Sequence, residues 1–101
     1  MIVKVEFMYE EDTEYISCLA KVGRNIHQLQ REFDKWLYDR ENKHSYWEVA
    51  GEDEEGEKIF GVCFNGEAFV YWLNNVRFNK HKKVAKLIET PNKLPKKKIR
   101  F

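Results

Sequence analysis

His27, His44 and His81 are the only histidines of this 101-residue chain, and Cys18 and Cys63 its only cysteines. Metal sites draw such residues from short, characteristic spacings, and these five fall in none of them. A redox pair needs a Cys-x-x-Cys spacing or a cationic neighbour, and both are missing. Each cysteine lies instead in an apolar run, Ile16–Val22 and Ile59–Phe64. The expectation is two reduced thiols in the core, since free cysteine behaves as a small hydrophobe. No Gly-rich phosphate loop and no nucleophile elbow occur. The carboxylates crowd into polar breaks, where solvation keeps their chemistry ordinary. The expectation is a protein that is not an enzyme and needs no cofactor or metal.

Charge is the feature that remains. Residues 1–78 hold nine Lys/Arg against sixteen Asp/Glu, whereas residues 79–101 hold nine against one. The net charge of +1 therefore conceals an acidic body and a basic C-terminal segment. Lys93, Lys96, Lys97, Lys98 and Arg100 are the candidate nucleic-acid-binding residues, because closely spaced cations displace counterions from phosphates. Phe78 and Phe101 stand nearby as stacking groups. The same lysines also suit an edge strand, where they discourage edge-to-edge aggregation, or a segment folded back on the acidic body. Glu52, Asp53, Glu54, Glu55 and Glu57 are the candidate acidic residues for a basic partner. Their simplest role is a solvated hairpin tip, and the alternating ligand spacing of a calcium loop is absent.

The elements that must carry these residues follow from periodicity. Ile2–Tyr9 and Tyr15–Val22 alternate with period two and read as an antiparallel hairpin. Asn25 stands as an N-cap, with Gln28 completing a capping-box-like pair. Ile26, Leu29, Phe33, Trp36 and Leu37 then form a helical stripe to about Asp39 or Arg40. Ser45–Ala50 and Lys58–Phe64 read as a second hairpin, its second strand apolar on both faces as in a central strand. Asn65 caps a second helix with Phe69, Trp72, Leu73 and Val76 on its stripe. Residues 82–89 fit either a helix turn or a strand, and Pro91 ends them.

The expected fold is α+β: two β-hairpins in one antiparallel sheet with two helices on one face, in the order β-β-α-β-β-α. A further C-terminal strand would extend it. Residues 1–90 make the compact domain and 91–101 the basic segment, as a tail or an edge strand. The expected core is Val5, Phe7, Ile16, Cys18, Leu29, Phe33, Trp36, Val62, Phe69, Trp72 and Leu73. With residues 83–89 as a strand, the element order resembles the ubiquitin-like β-grasp arrangement. Ending in Arg100-Phe101 rather than a diglycine, the chain is not expected to perform conjugation or sulfur-carrier chemistry.

Composition places the chain in one ordered domain: 43% hydrophobic and 15% aromatic. Lys4 and Glu6 interrupt the position of a signal peptide's apolar segment, and the longest apolar run is Phe69–Leu73. A cytoplasmic protein with no membrane partner is expected. The function expected is a small binding or regulatory protein that engages nucleic acid, or a protein that handles it, through the basic segment and the acidic hairpin tips. That profile is similar to small phage and mobile-element proteins that inhibit nucleases. The alternative is an adaptor or homodimer joined through a sheet edge or the aromatic second helix.

Overall fold

The computed structural model describes residues 1–79 and 82–101. In chain order the elements are β1 (Ile2–Glu6), a 3-10 turn (Glu10–Asp12), β2 (Glu14–Cys18), α1 (Ala20–Arg24) and α2 (Ile26–Leu37). There follow β3 (Trp47–Glu52), β4 (Lys58–Val62), α3 (Gly66–Trp72), a π turn (Leu73–Arg77), β5 (Ala85–Ile88) and β6 (Lys98–Arg100). The chain is thus α+β, with one sheet of four strands and another of two. Lys80 and His81, assigned above to the basic segment, lie outside the described residues.

The four-stranded sheet has the order β5-β2-β1-β6. β1 pairs antiparallel with β2, β2 antiparallel with β5, and β1 parallel with β6. Its inner face carries Val3, Val5, Ile16, Cys18, Ala85 and Ile99, all buried. α2 lays Ile26, Leu29, Phe33 and Leu37 into the same core, and α3 adds Ala68, Phe69 and Trp72. Most of the period-two and helical stripes read from the sequence pack here, but Val76, expected on the second helical stripe, is exposed in the π turn. Of the expected core, Phe7, Trp36 and Val62 are partly rather than fully buried.

Four expectations are corrected. The two hairpins do not share a sheet: β3 and β4 form a ribbon of their own, so the β-grasp resemblance stops at element order. β4 is therefore not a central strand, and its apolar residues Ile59 and Phe60 are exposed. β2 ends at Cys18 rather than Val22, because α1 begins at Ala20 and buries Val22 from a helical turn. Asn25 does not cap α2 with its side chain; its Nδ2 donates to the Lys21 carbonyl, closing α1 instead. Asn65, by contrast, accepts from the Glu67 N–H at 3.0 Å and caps α3. Residues 82–89 resolve toward the strand, as β5.

The C-terminal segment is an integral strand. Ile99 is buried opposite Val5. Beyond β6, the Phe101 N–H donates to the Glu6 carbonyl, and its ring lies 5.6 Å from Phe7 and 5.7 Å from Phe33. Phe101→Ala should therefore cost about 2–3 kcal/mol, below the cost of truncating a fully buried Phe. Removing residues 98–101 should cost more, since it also strips a parallel neighbour from β1. Equilibrium denaturation measures both, and unchanged midpoints would show that the strand is not integral.

Asp34 supplies a pH dependence. It lies in the last turn of α2, where partial burial raises its carboxyl above the ordinary carboxylate range. The folded chain thus keeps this proton at a pH where the unfolded chain has released it. Stability from this group is full below the unfolded pKa and is lost as pH rises through the folded one. A carboxylate near a helix C-terminus is also opposed by the helix dipole. Asp34→Asn should melt higher than the parent at neutral pH, and the gap should close below the carboxylate range. A gap that is constant with pH would exclude this titration as its cause.

Candidate binding surfaces

The outer face of the four-stranded sheet is opposite the one on which α2 and α3 pack. Alternation turns Ile2, Lys4 and Glu6 of β1 to that side, with Tyr15 and Ser17 of β2. Lys86 and Ile88 of β5 join them, as do Lys98 and Arg100 of β6. Register then decides which charges meet. Lys98 stands directly beside Lys4, and Arg100 beside Glu6. Glu6 Oε1 lies 3.7 Å from Lys98 Nζ and 3.9 Å from Lys4 Nζ, so one carboxylate bridges two ammonium groups. Such pairs at a wet surface are weak and readily exchanged. Lys86 projects from the opposite edge strand, next to Ser17.

The five predicted basic residues are therefore split. Lys98 and Arg100 lie on the outer face and are exposed. Lys93, Lys96 and Lys97 line a groove with Met1, Ile2 and Leu94. Lys97 is half-buried, and its carbonyl accepts from the Lys4 N–H. Lys4 and Lys86 are the cations missed in the sequence. The polar-face position of Lys4 was legible from alternation and its nearness to β6 comes from the β1·β6 pairing, whereas Lys86 lies on the opposite edge strand.

The predicted acidic residues gather at the tip of the β3–β4 ribbon. Gly56 takes φ +80°, the left-handed conformation that the turn requires. Asp53 organises that turn: its Oδ1 accepts from the N–H groups of both Glu55 and Glu57 at 2.9 Å. Its backbone N–H donates to the Glu57 carbonyl. Asp53 is thus a structural member, while Glu52, Glu54, Glu55 and Glu57 are exposed. Glu11 and Asp12, on the other hairpin's connection, belong to the other sheet's end and are also exposed. Among that group Glu14 has a separate task, since its carboxylate accepts from the Gly66 N–H at the start of α3.

The ribbon's root is aromatic. His44 stacks on Trp47 at 5.4 Å and lies 4.7 Å from Trp36. His44 Nε2 meets the Leu37 carbonyl, and its Nδ1 accepts from the Tyr46 N–H. These contacts together specify the Nε2–H tautomer and occupy both ring nitrogens. Trp47 Nε1 donates to the Asn42 carbonyl at 2.7 Å. The Arg40 guanidinium lies over Trp47 and Phe60, at 5.6 and 5.1 Å from their ring centres. No sequence signal singled out Arg40, because this cation–π contact joins a loop to a strand twenty residues away in the chain.

Among the described residues no group of three or more His, Cys, Asp or Glu side chains is placed to hold a metal ion. No described helix is long and apolar enough to cross a membrane. Both cysteines are free, but only Cys18 is in the core; Cys63, just beyond β4, is exposed. That corrects the expectation of two shielded thiols, and the reason is the ribbon's departure from the sheet.

The chain matches no family model, no curated protein and no solved structure. Its geometry defines a class, a small α+β protein.

The two thiols should differ in reactivity. Burial pushes the Cys18 thiol up from its ordinary value, which lowers its thiolate fraction as well as its access. A mild labelling reagent without denaturant should therefore modify Cys63 quickly and Cys18 only on unfolding. Equal rates at both sites, read by mass spectrometry, would contradict this placement.

Proposed function

We propose that this chain is a non-enzymatic, cytoplasmic binding protein that holds nucleic acid by its phosphates on the outer face of the four-stranded sheet, at its β1–β6 edge. The observation that carries the reading is the register of β6 on β1, which aligns Lys98 and Arg100 with Lys4 on one solvent-facing surface. Lys96, in the adjoining groove with Ile2, extends the positive surface beyond them. Cations fixed on strands lose less freedom on meeting a phosphate than cations on a loose tail. The centre of that face holds Tyr15, which is only 8% exposed. Base stacking therefore contributes little, and recognition rests on the backbone, which carries no sequence information. Two unpaired thiols fit a reducing compartment.

The acidic ribbon belongs to a second activity of the same protein, contact with another protein. The exposed Val49, Ile59 and Phe60 favour that reading over a purely solvating tip.

The test is fluorescence anisotropy with labelled single-stranded oligonucleotides of differing sequence across a salt series. With about four cations engaged, the log–log slope should lie near ~−2.8, at ~0.7 per contact. Lys98→Gln with Arg100→Gln should flatten the slope by about 1.4 on the same basis. Glu6→Gln should tighten binding, because it frees the two lysines that Glu6 bridges. Absence of salt-sensitive binding in the parent, or a slope untouched by the double substitution, would overturn the proposal.

A further inference from the structure

The β3–β4 ribbon is built unlike the rest of the molecule. Every residue from 48 to 60 is exposed, including Val49 at 51%, Ile59 at 49% and Phe60 at 42%. An isolated two-stranded ribbon is marginal in water; a third strand or a packed face is what makes it stable. The four-stranded sheet, by comparison, has its edges attended to. Asn74 accepts from the N–H groups of Val84 and Ala85 and donates to the Ala85 carbonyl, closing the β5 edge. Gln30 donates to the Arg100 carbonyl on the β6 edge. Among the described residues no side chain hydrogen-bonds the backbone of β4.

The two edges of the ribbon differ. β3 has a bulge between Val49 and Gly51 and carries Glu48 and Glu52, both of which discourage strand addition. β4 reads Lys-Ile-Phe-Gly-Val, unbulged, with one charge. Its hydrogen-bonding alternation is fixed at both ends. The Cys63 N–H donates to the Tyr46 carbonyl, and the Asp53 N–H to the Glu57 carbonyl. Residues 57, 59, 61 and 63 therefore turn their backbone groups toward β3, and Lys58, Phe60 and Val62 turn theirs outward.

We infer that the free edge of β4 pairs antiparallel with β4 of a second copy of this chain, about a two-fold axis at Phe60. The pairing makes one continuous sheet of two ribbons. In this register Phe60 opposes Phe60 of the second copy, and Lys58 opposes Val62, so every outward backbone group of β4 is matched. Ile59 falls opposite Gly61, whose missing side chain leaves it room. Charge selects the antiparallel direction. Each ribbon is acidic at its tip, Glu52–Glu57, and has Arg40 and Lys43 at its root. Antiparallel pairing brings the tip of one copy toward the root of the other; parallel pairing would set two acidic tips together. The contact is isologous and therefore closes as a dimer rather than growing into a filament.

A two-strand interface is small, so the dimer is weak and in exchange. Sedimentation over a concentration series should show the mass rise from 12.2 kDa toward twice that value. Phe60→Lys should weaken self-association about tenfold or more, since it replaces the central contact with a repulsive pair. Glu57→Cys provides an independent readout: residue 57 opposes Cys63 of the second copy, at a separation of about 4.5–5.5 Å between Cβ atoms. Mild oxidation of Glu57→Cys should give a covalent dimer, whereas Glu54→Cys, at the turn, should not. A species that stays monomeric throughout the series overturns the inference, as it would if the ribbon served only a different protein. So does a dimer that survives Phe60→Lys, or one that Glu57→Cys and Cys63 fail to lock.

Discussion

Packing around one ring, Phe33, connects every part of the body. It is fully buried, and five aromatic rings have their centres within 6.0 Å of its own: Trp36, Phe64, Phe69, Trp72 and Phe101. Those rings come from α2, α3, the chain leaving the ribbon and the residue after β6. Edge-to-face contacts of this kind add to simple area burial and fix ring orientation. Phe33 therefore holds α2 against α3 and pins both the ribbon's exit and the last strand. Phe7 extends the cluster to the end of β1 through Phe64 and Phe101. The parallel β1·β6 pair depends on this packing as much as on its ladder, which is three residues long.

The constraint has a consequence for the ribbon. Aromatic packing ends at its root, where Trp36, His44 and Trp47 stack in sequence, and Arg40 carries the contact as far as Phe60. Residues 48–60 are all exposed. The molecule measures 51 × 32 × 20 Å, with a radius of gyration of 15.1 Å. A compact domain of this length would have about 13 Å. The excess fits a body with a projecting arm. Val49, Ile59 and Phe60 on this arm stay exposed.

Much of the body was legible in the sequence. Val3 and Val5 alternate with Lys4 and Glu6, and the stripe of α2 from Ile26 to Leu37 states its own packing face. Asn65 announced α3 through local chemistry that needs no tertiary context. Failures occurred where one pattern serves two environments. Lys58–Val62 reads as a central strand because both faces are apolar, yet periodicity cannot distinguish burial by the same chain from burial by another. Asn25 has an N-cap's residue type, but the preceding turn was already helical, leaving no extended residue to cap from. Of the basic site, Lys98 and Arg100 were identifiable by type. Lys4 was not, because only the pairing of β6 with β1 brings it beside Lys98; Lys86 lies on the opposite edge strand.

The charge division changes meaning once folded. In the sequence it looks like an acidic domain with a basic appendage. In the structure Lys98 and Arg100 flank Ile99, whose side chain fills the core between them. Alternation that buries Ile99 necessarily turns its two neighbours to solvent on the opposite face, with their spacing set by the strand. A polyanion that meets this face therefore meets cations already in place. An interaction there is coupled to the fold: loss of Phe101 packing would release β6 and scatter the cations before any of them was mutated. The acidic tip is fixed in the same way, by the Asp53 turn and Gly56. The acidic tip and the Lys98–Arg100 strand therefore sit on separate elements, the ribbon and the four-stranded sheet.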